Sequence, residues 1–143
     1  MQDGLPGGGF RKRLDIAAHG IPQVFVDAGQ QRAEKADERV VVRHILVAFR
    51  GTIDGVGRTH DEAEALAAEL YTRAVLHEDF DALRQRFSDD KTSGRYEIEK
   101  SGRRGFAKNF GDVAFRLQRG EIGIAPWHET DGEFGWHVIE RLQ

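Results

Sequence analysis

The chain has 143 residues, with 21 Lys and Arg against 24 Asp and Glu, a formal net charge of −3 and no cysteine. This length predicts one domain with a real core, while the lack of cysteine excludes disulfides, a thiol nucleophile and a cysteine-ligated zinc site. The charge gives no indication of a nucleic-acid partner, and the sequence has no run of 18 apolar residues that would predict membrane insertion.

Residues 1–39 differ in composition from the rest of the chain. They contain a Pro-Gly-Gly-Gly run, a basic triplet at 11–13 and a polar, charged stretch at 30–38. This composition is typical of a tail or linker, of which the apolar piece at 21–28 can order on the body. We therefore predict an N-terminal tail at 1–39 and a folded domain at 40–143. A cytoplasmic location is expected for the chain as given, because no signal-peptide pattern is present; an exported fragment is the alternative.

The stretch VVVRHILVAF, residues 40–49, predicts a buried strand. Seven of its ten residues are Val, Ile, Leu or Phe, and β-branched and aromatic residues at this density favour a strand. Alternation places Val42, His44 and Leu46 on one face. Because a buried titratable group is costly without a partner, His44 is a candidate functional residue.

Two helices are predicted after the glycine-rich loop RGTIDGVGR. Thr59 and Glu62 have the spacing of a capping box, and apolar residues recur at helical spacing from about Asp61 onward. A second, short helix follows Asp79, which suits an N-cap. Its apolar face consists of Phe80, Leu83 and Phe87.

The remaining sequence predicts a weak strand, a helix and a hairpin. YEIEKSG alternates weakly, as an edge strand does, and NFGDVAFRLQRGE has the apolar spacing of a helix that Gly120 closes. GIAPWHE and FGWHVIERL then read as two strands joined by TDGE, whose Asp-Gly is a strong turn signal. This order of elements predicts an α+β domain. If the first and last strands pair, His44 and His137 lie side by side, and one neutral ring donates to the other.

Four segments stand out along the domain: HILV (44–47), DFDALRQRFSDD (79–90), GDVAFRLQRGEIG (111–123) and FGWHVIERL (134–142). In this order and spacing they resemble the successive blocks of the parvulin-type peptidyl-prolyl cis-trans isomerases. The resemblance implies an FKBP-like, four-stranded antiparallel sheet flanked by three to four helices. It also implies an enzyme that assists folding by rotating the bond before proline, without covalent chemistry, metal or other cofactor.

The resemblance further implies the site. His44, Asp90 and His137 match the family's catalytic positions. The apolar residues that match its substrate pocket are Ile98, Phe106, Phe110 and Phe134. These residue types suit the reaction, because a rotation barrier of about 18–20 kcal/mol is lowered by an apolar pocket and by polar groups placed for the twisted bond. The expected partners are proline-containing polypeptides, and a monomer is expected.

Other interpretations of these residues stay open. The two histidines also fit a structural pair that never touches substrate, Asp90 fits a turn cap, and Phe110 fits the core. Two departures from the family pattern predict modest turnover: GRYEIEKSG replaces a glycine-rich segment, and Thr130 is the nearest hydroxyl before His137. A weakened site would leave a peptide-binding or chaperone module as the alternative function.

Four arginines are candidates for contacts with an acidic substrate. They are Arg50, Arg58, Arg103 and Arg104. The first two are separated along the loop after the first strand, whereas phosphate recognition favours converging donors, so no phosphate requirement is expected. A solvated surface is the alternative. WHETDGE carries one histidine among acids, which falls short of a metal-ligand set.

Overall fold

The computed structural model describes Glu34 and residues 37–143; most of the predicted tail, including the piece at 21–28, lies outside the described residues. In this described part we find four strands, three α-helices and one 3₁₀ helix. They are, in chain order, β1 (Arg39–Val47), α1 (His60–Val75), α2 (Phe80–Phe87), β2 (Arg95–Glu99), the 3₁₀ helix (Lys100–Gly105), α3 (Lys108–Arg116), β3 (Ile122–Ala125) and β4 (Trp136–Arg141). The predicted α+β class is confirmed.

The four strands form one antiparallel sheet in the order β2-β1-β4-β3. The first and last strands pair as predicted, and β2 is an edge strand. In the β1–β4 register His44 lies opposite Ile139 and Leu46 opposite His137. The two histidines therefore occupy diagonal positions on one face of the two central strands.

Helices cover both faces of the sheet. One apolar cluster joins Ile45 and Val138 of the sheet to residues of α1 and α2, among them Leu70 and Leu83. The other cluster lies on the opposite face, with α3. It includes Val42, Ile98, Phe110, Phe115 and Ile139. Alternation along β1 and β4 sends neighbouring residues to opposite clusters, which explains why apolar residues occur on both faces of each strand.

Both predicted helix caps are present. Glu62 N donates to Thr59 Oγ1 at 3.1 Å, and Thr59 N donates to Glu62 Oε1 at 2.7 Å. Asp79 Oδ1 accepts from Ala82 N at 3.1 Å. These caps satisfy backbone donors that a helix N-terminus leaves unpaired.

The structure differs from the predicted elements in three places. Helix α3 ends at Arg116, because Leu117 turns to an extended conformation and buries its side chain; Gly120 belongs to the following turn, where its N–H donates to Arg141 O. The connection between β3 and β4 spans residues 126–135 and is wider than TDGE, since Pro126 cannot extend the ladder as a donor. The 3₁₀ helix was not expected.

No helix among the described residues has the length and apolar character needed to cross a membrane.

Candidate functional site

Two buried histidines lie at the centre of the sheet. The residues His44 and His137 are 3% and 7% exposed, and their Nδ1 atoms are 3.0 Å apart. On the other side of the first ring, His44 Nε2 lies 3.0 Å from Asp90 Oδ2. The three side chains form a continuous hydrogen-bonded chain from His137 through His44 to Asp90.

Asp90 reaches this chain because its segment is tied to β1. Ser88 Oγ accepts from Leu46 N at 3.1 Å, and Asp89 N donates to Leu46 O at 2.8 Å. Further along, His44 N donates to Gly94 O at 2.8 Å. Gly94 has a φ of +72°, and a Cβ there would lie 2.8 Å from His44 O, so this close approach requires glycine.

Burial and hydrogen bonding determine the protonation states. Burial lowers the pKa of His44 more than its hydrogen bond with Asp90 raises it. Burial also lowers the pKa of His137, and the adjacent His44 lowers it further. Burial alone would raise the pKa of Asp90, but hydrogen bonds from Thr92, Tyr96 and His44 lower it to about 2. Near pH 7 the site therefore holds two neutral imidazoles and one carboxylate.

These states fix the direction of the hydrogen bonds. A carboxylate only accepts, so His44 donates from Nε2 to Asp90 and keeps a bare Nδ1. That nitrogen accepts from the Nδ1–H of His137. The Nε2 of His137 is then a bare acceptor, and it is buried with no hydrogen-bond partner among the described residues. Thr130 does not reach it, because its hydroxyl contacts His128 and Asp131 instead.

Tyr96 of β2 is a member of the site that the sequence analysis missed. Its hydroxyl donates to Asp90 Oδ2 at 3.0 Å, and its ring centroid lies 5.3 Å from that of His44 and 5.6 Å from that of Phe106. Tyr96 lies opposite Val42 in β1 and so shares a face with His44. The weak alternation of YEIEKSG contained the signal for this placement.

A cavity of about 310 Å³ opens over the hydrogen-bonded chain. Six of the predicted site residues line it: His44, Asp90, Phe106, Phe110, Phe134 and His137. Leu46, Tyr96, Gly105 and Ala107 complete the lining. Phe106 and Phe110 stack with centroids 5.8 Å apart, and the edge-on Phe110 lies 5.1 Å from each histidine ring. Phe134 is 48% exposed. The cavity thus combines an aromatic wall with a small set of polar groups.

The structure places Ile98 in the core and not on the cavity wall. It is 0% exposed and belongs to the apolar cluster that includes Phe110 and Ile139. Ile98 pairs with Val40, whereas Tyr96 pairs with Val42 and so lies nearer to His44 along the sheet. Tyr96 therefore takes the wall position that was expected for Ile98.

The two loop arginines do not reach the cavity. Arg50 donates to Gly57 O at 3.0 Å, and Arg58 donates to Ala48 O and to the carboxylate of Asp89. The guanidinium of Arg50 bonds within the loop after β1, and that of Arg58 ties this loop to Asp89. Neither lines the cavity over the histidines.

The other two arginines lie beside Phe106, on the 3₁₀ helix. Arg103 forms ion pairs with Glu34 and Asp112, while Arg104 is exposed. Both line a second cavity, of about 340 Å³, which shares Phe106 with the first. The four predicted arginines therefore do not form one group.

The sequence matches one domain family and is similar to two known proteins. Residues 29–142 match the family described as the PPIC-type PPIASE domain. The chain is 34% identical over 116 residues to Chaperone SurA from Chromohalobacter salexigens and 31% identical over 116 residues to Chaperone SurA from Pseudomonas syringae. The matches cover 78% and 80% of this chain but 24% and 25% of those proteins, so the chain spans about a quarter of their length.

A solved structure shares the fold. Peptidyl-prolyl isomerase ESS1 from Candida albicans superposes with a TM-score of 0.62 at 20% identity. The superposition covers 85% of this chain and 74% of that one. At this identity the likeness shows the same sheet and helices.

Proposed function

The chain belongs to the parvulin family of peptidyl-prolyl cis-trans isomerase domains, and we propose that its domain at 40–143 catalyses rotation about Xaa-Pro bonds in polypeptides. The observation that carries the proposal is the aromatic cavity over the chain His137–His44–Asp90. Among the described residues, the cavity lining contains no Ser, Thr, Cys or Lys side chain; the proposed reaction needs no nucleophile, because it breaks no covalent bond.

The cavity lowers the rotation barrier in two ways. The proline ring packs against Phe106 and Phe110, so that the prolyl amide leaves water. The planar amide places partial negative charge on its carbonyl oxygen, and this charge decreases as the bond twists. The fixed carboxylate of Asp90, with a pKa of about 2, disfavours the planar form of a carbonyl that faces it. The site therefore stabilises the twisted state relative to the planar one.

Two features support a modest turnover. Tyr96 occupies part of the cavity wall, and His137 Nε2 has no partner among the described residues. The Tyr96 ring narrows the space for substrate. The unpaired Nε2 leaves the His137 ring less firmly held, since an unmade buried hydrogen bond costs about 1–3 kcal/mol.

A peptide-binding or chaperone module is the second candidate function. It is favoured by the gap in the histidine network and by the printed name of the two relatives, Chaperone SurA. Such a module would hold proline-containing or apolar segments in the same cavity without accelerating their isomerisation.

NMR exchange spectroscopy on short Xaa-Pro peptides tests the proposal and separates the two candidates. An isomerase increases the rate of exchange between cis and trans peptide signals, whereas a binding module broadens the signals and leaves the exchange rate unchanged. The second result would overturn the proposed activity. A set of peptides with Leu, Glu, Lys and phosphoserine before proline covers the substrate classes.

A further inference from the structure

An ion pair lies beside the proposed active site, and one of its partners comes from the segment that precedes β1. Arg103 Nη1 donates to Glu34 Oε1 at 2.8 Å, and Nη2 donates to Oε2 at 2.9 Å. This is the bidentate fork with which arginine binds a carboxylate. Glu34 precedes β1 and lies 69 residues from Arg103 in sequence.

The guanidinium of Arg103 is held in place by neighbouring side chains. Arg103 Nη2 also donates to Asp112 Oδ1 at 2.8 Å, and its Cζ lies 4.6 Å from the ring centroid of Phe115. Lys108 donates to the other oxygen of Asp112 at 2.7 Å. Arg103 therefore presents a fixed pair of donors, and among the described residues its two carboxylate partners are Asp112 of α3 and Glu34 of the segment before β1.

The position of this guanidinium connects it to the substrate cavity. Arg103, Arg104 and Lys108 line the second cavity, of about 340 Å³, together with Phe106. Phe106 also lines the cavity over the histidines, and its N–H donates to Arg103 O. An extended peptide advances about 3.3–3.6 Å per residue, so this second cavity lies within reach of residues close to a proline that packs against Phe106.

The charge of the second cavity favours an anion. Its lining holds three cations and one carboxylate, that of Asp112. The hydrogen bond from Arg103 lowers the pKa of Glu34, and Arg103 and Arg116 add electrostatic attraction. Glu34 is therefore ionised at physiological pH, and its carboxylate accepts both hydrogen bonds from the donor pair of Arg103.

We infer that Arg103 is a subsite for an acidic side chain of the substrate, close to its proline, and that Glu34 occupies this subsite until substrate displaces it. The inference rests on the proposed function in that the ligand is a proline-containing peptide. Glu34 then competes with acidic side chains of the substrate for Arg103. This competition lowers the affinity for acidic substrates and leaves the affinity for neutral substrates unchanged.

Paired peptides on the full chain test the inference. Each pair carries Glu or Gln at one position, up to three residues before or after the proline, and the dissociation constant is measured by NMR titration for the wild type, Glu34→Gln and Arg103→Gln. Glu34→Gln should tighten binding of the Glu peptide at one or more positions by roughly two- to fivefold, the range of a partly exposed ion pair. The Gln peptide should bind as before. Arg103→Gln should remove the preference for Glu.

A second measurement protects the test against a poorly folded Arg103→Gln variant. In Glu34→Gln, titration with the Glu peptide should shift the Nε–H signal of Arg103, and titration with the Gln peptide should leave it in place. An equal Glu-to-Gln affinity ratio in wild type and Glu34→Gln at every position would overturn the inference and make the ion pair an anchor only. Exchange rates on the Gln peptide report the proposed isomerase activity separately, so failure of one claim is distinct from failure of the other.

Discussion

The Nδ1 atoms of His44 and His137 face each other at 3.0 Å inside the sheet. Only one of two such nitrogens can carry the proton of a single hydrogen bond, and the carboxylate of Asp90 determines which one does. The pair is stable as two neutral rings and is disfavoured when either ring becomes charged. This property has a consequence for stability.

The first prediction concerns the dependence of stability on pH. The folded-state pKa of both histidines lies below the ordinary value of 6.5, so below this pH the unfolded chain binds more protons than the folded one. The free energy of unfolding should therefore fall as the pH drops below about 6.5, by up to about 1.4 kcal/mol per pH unit for each histidine. Urea unfolding at several values between pH 8 and pH 5 measures the slope.

The matched variant for this prediction is His137→Asn, which removes one of the two rings. Its slope between pH 6.5 and pH 5 should be smaller than that of the wild type. The contribution of Asp90 does not interfere, because a carboxyl with a pKa lowered from 3.8 to about 2 loses its stabilising effect only as the pH falls through that lower range. Identical slopes in the two proteins would contradict the assignment of neutral rings.

The second prediction concerns the hydroxyl of Tyr96. Tyr96→Phe keeps the aromatic ring in the cavity and removes the donor to Asp90 Oδ2. Because that donor favours the ionised carboxyl, the pKa of Asp90 should rise from about 2 toward its ordinary value of 3.8. The ¹³C carboxyl shift of Asp90 in an NMR titration reports the change. Tyr71→Phe on α1 is the control, and an equal pKa of Asp90 in all three proteins would contradict the role of Tyr96.

The third prediction separates the two phenylalanines of the cavity wall. Phe110 is 3% exposed and belongs to the core, whereas Phe106 is only partly buried. Phe110→Ala should lower the free energy of unfolding by about 3–5 kcal/mol. Phe106→Ala should cost less stability but should raise KM for proline peptides about tenfold, which corresponds to about 1.4 kcal/mol of lost apolar contact. Equal losses of stability in the two variants would contradict the division into a core residue and a wall residue. An unchanged KM in Phe106→Ala would show that Phe106 does not contact the substrate.

Residues of the site can be predicted from the sequence where alternation within one strand determines their placement, and less well where pairing between strands determines it. Alternation assigns His44 and His137 to one face of their own strands, and their placement side by side depends on the pairing of β1 with β4, which the structure shows. Tyr96 and Ile98 were harder to assign. Both lie on the edge strand, where the pattern is weak, and the pairing with β1 determines which of them lies next to His44.

Contacts between residues distant in sequence were not predictable from pattern. Arg58 binds Asp89, and Arg103 binds Glu34 from the segment before β1. No periodicity relates these residues, and an arginine in a loop has the same sequence signature whether it binds a substrate or the protein itself. The structure shows Arg50 and Arg58 bonded to the protein itself, and a contact with an acidic substrate stays a prediction.

The fourth prediction follows from these occupied arginines. The guanidinium groups of Arg50 and Arg58 are bonded to the loop and to Asp89, so they offer no converging donors to a phosphate. Exchange rates on matched peptides with Ser, Glu or phosphoserine before proline should show no more than about a twofold gain for phosphoserine over Glu, within the range of a surface ion pair. A gain of two orders of magnitude would establish a phosphate requirement instead.

The most direct test of the central claim is the cis/trans exchange rate of an Ala-Pro peptide with the wild type, Asp90→Ala and Asp54→Ala. Asp54 is an exposed acid in the loop after β1 and does not line the cavity. We expect acceleration by the wild type and by Asp54→Ala, and a rate lower by roughly 10- to 100-fold in Asp90→Ala, since a hydrogen bond to a charged group contributes about 1.5–3 kcal/mol. Equal acceleration by all three proteins would contradict a role of the His137–His44–Asp90 chain in catalysis, and no acceleration by the wild type would contradict the isomerase activity itself.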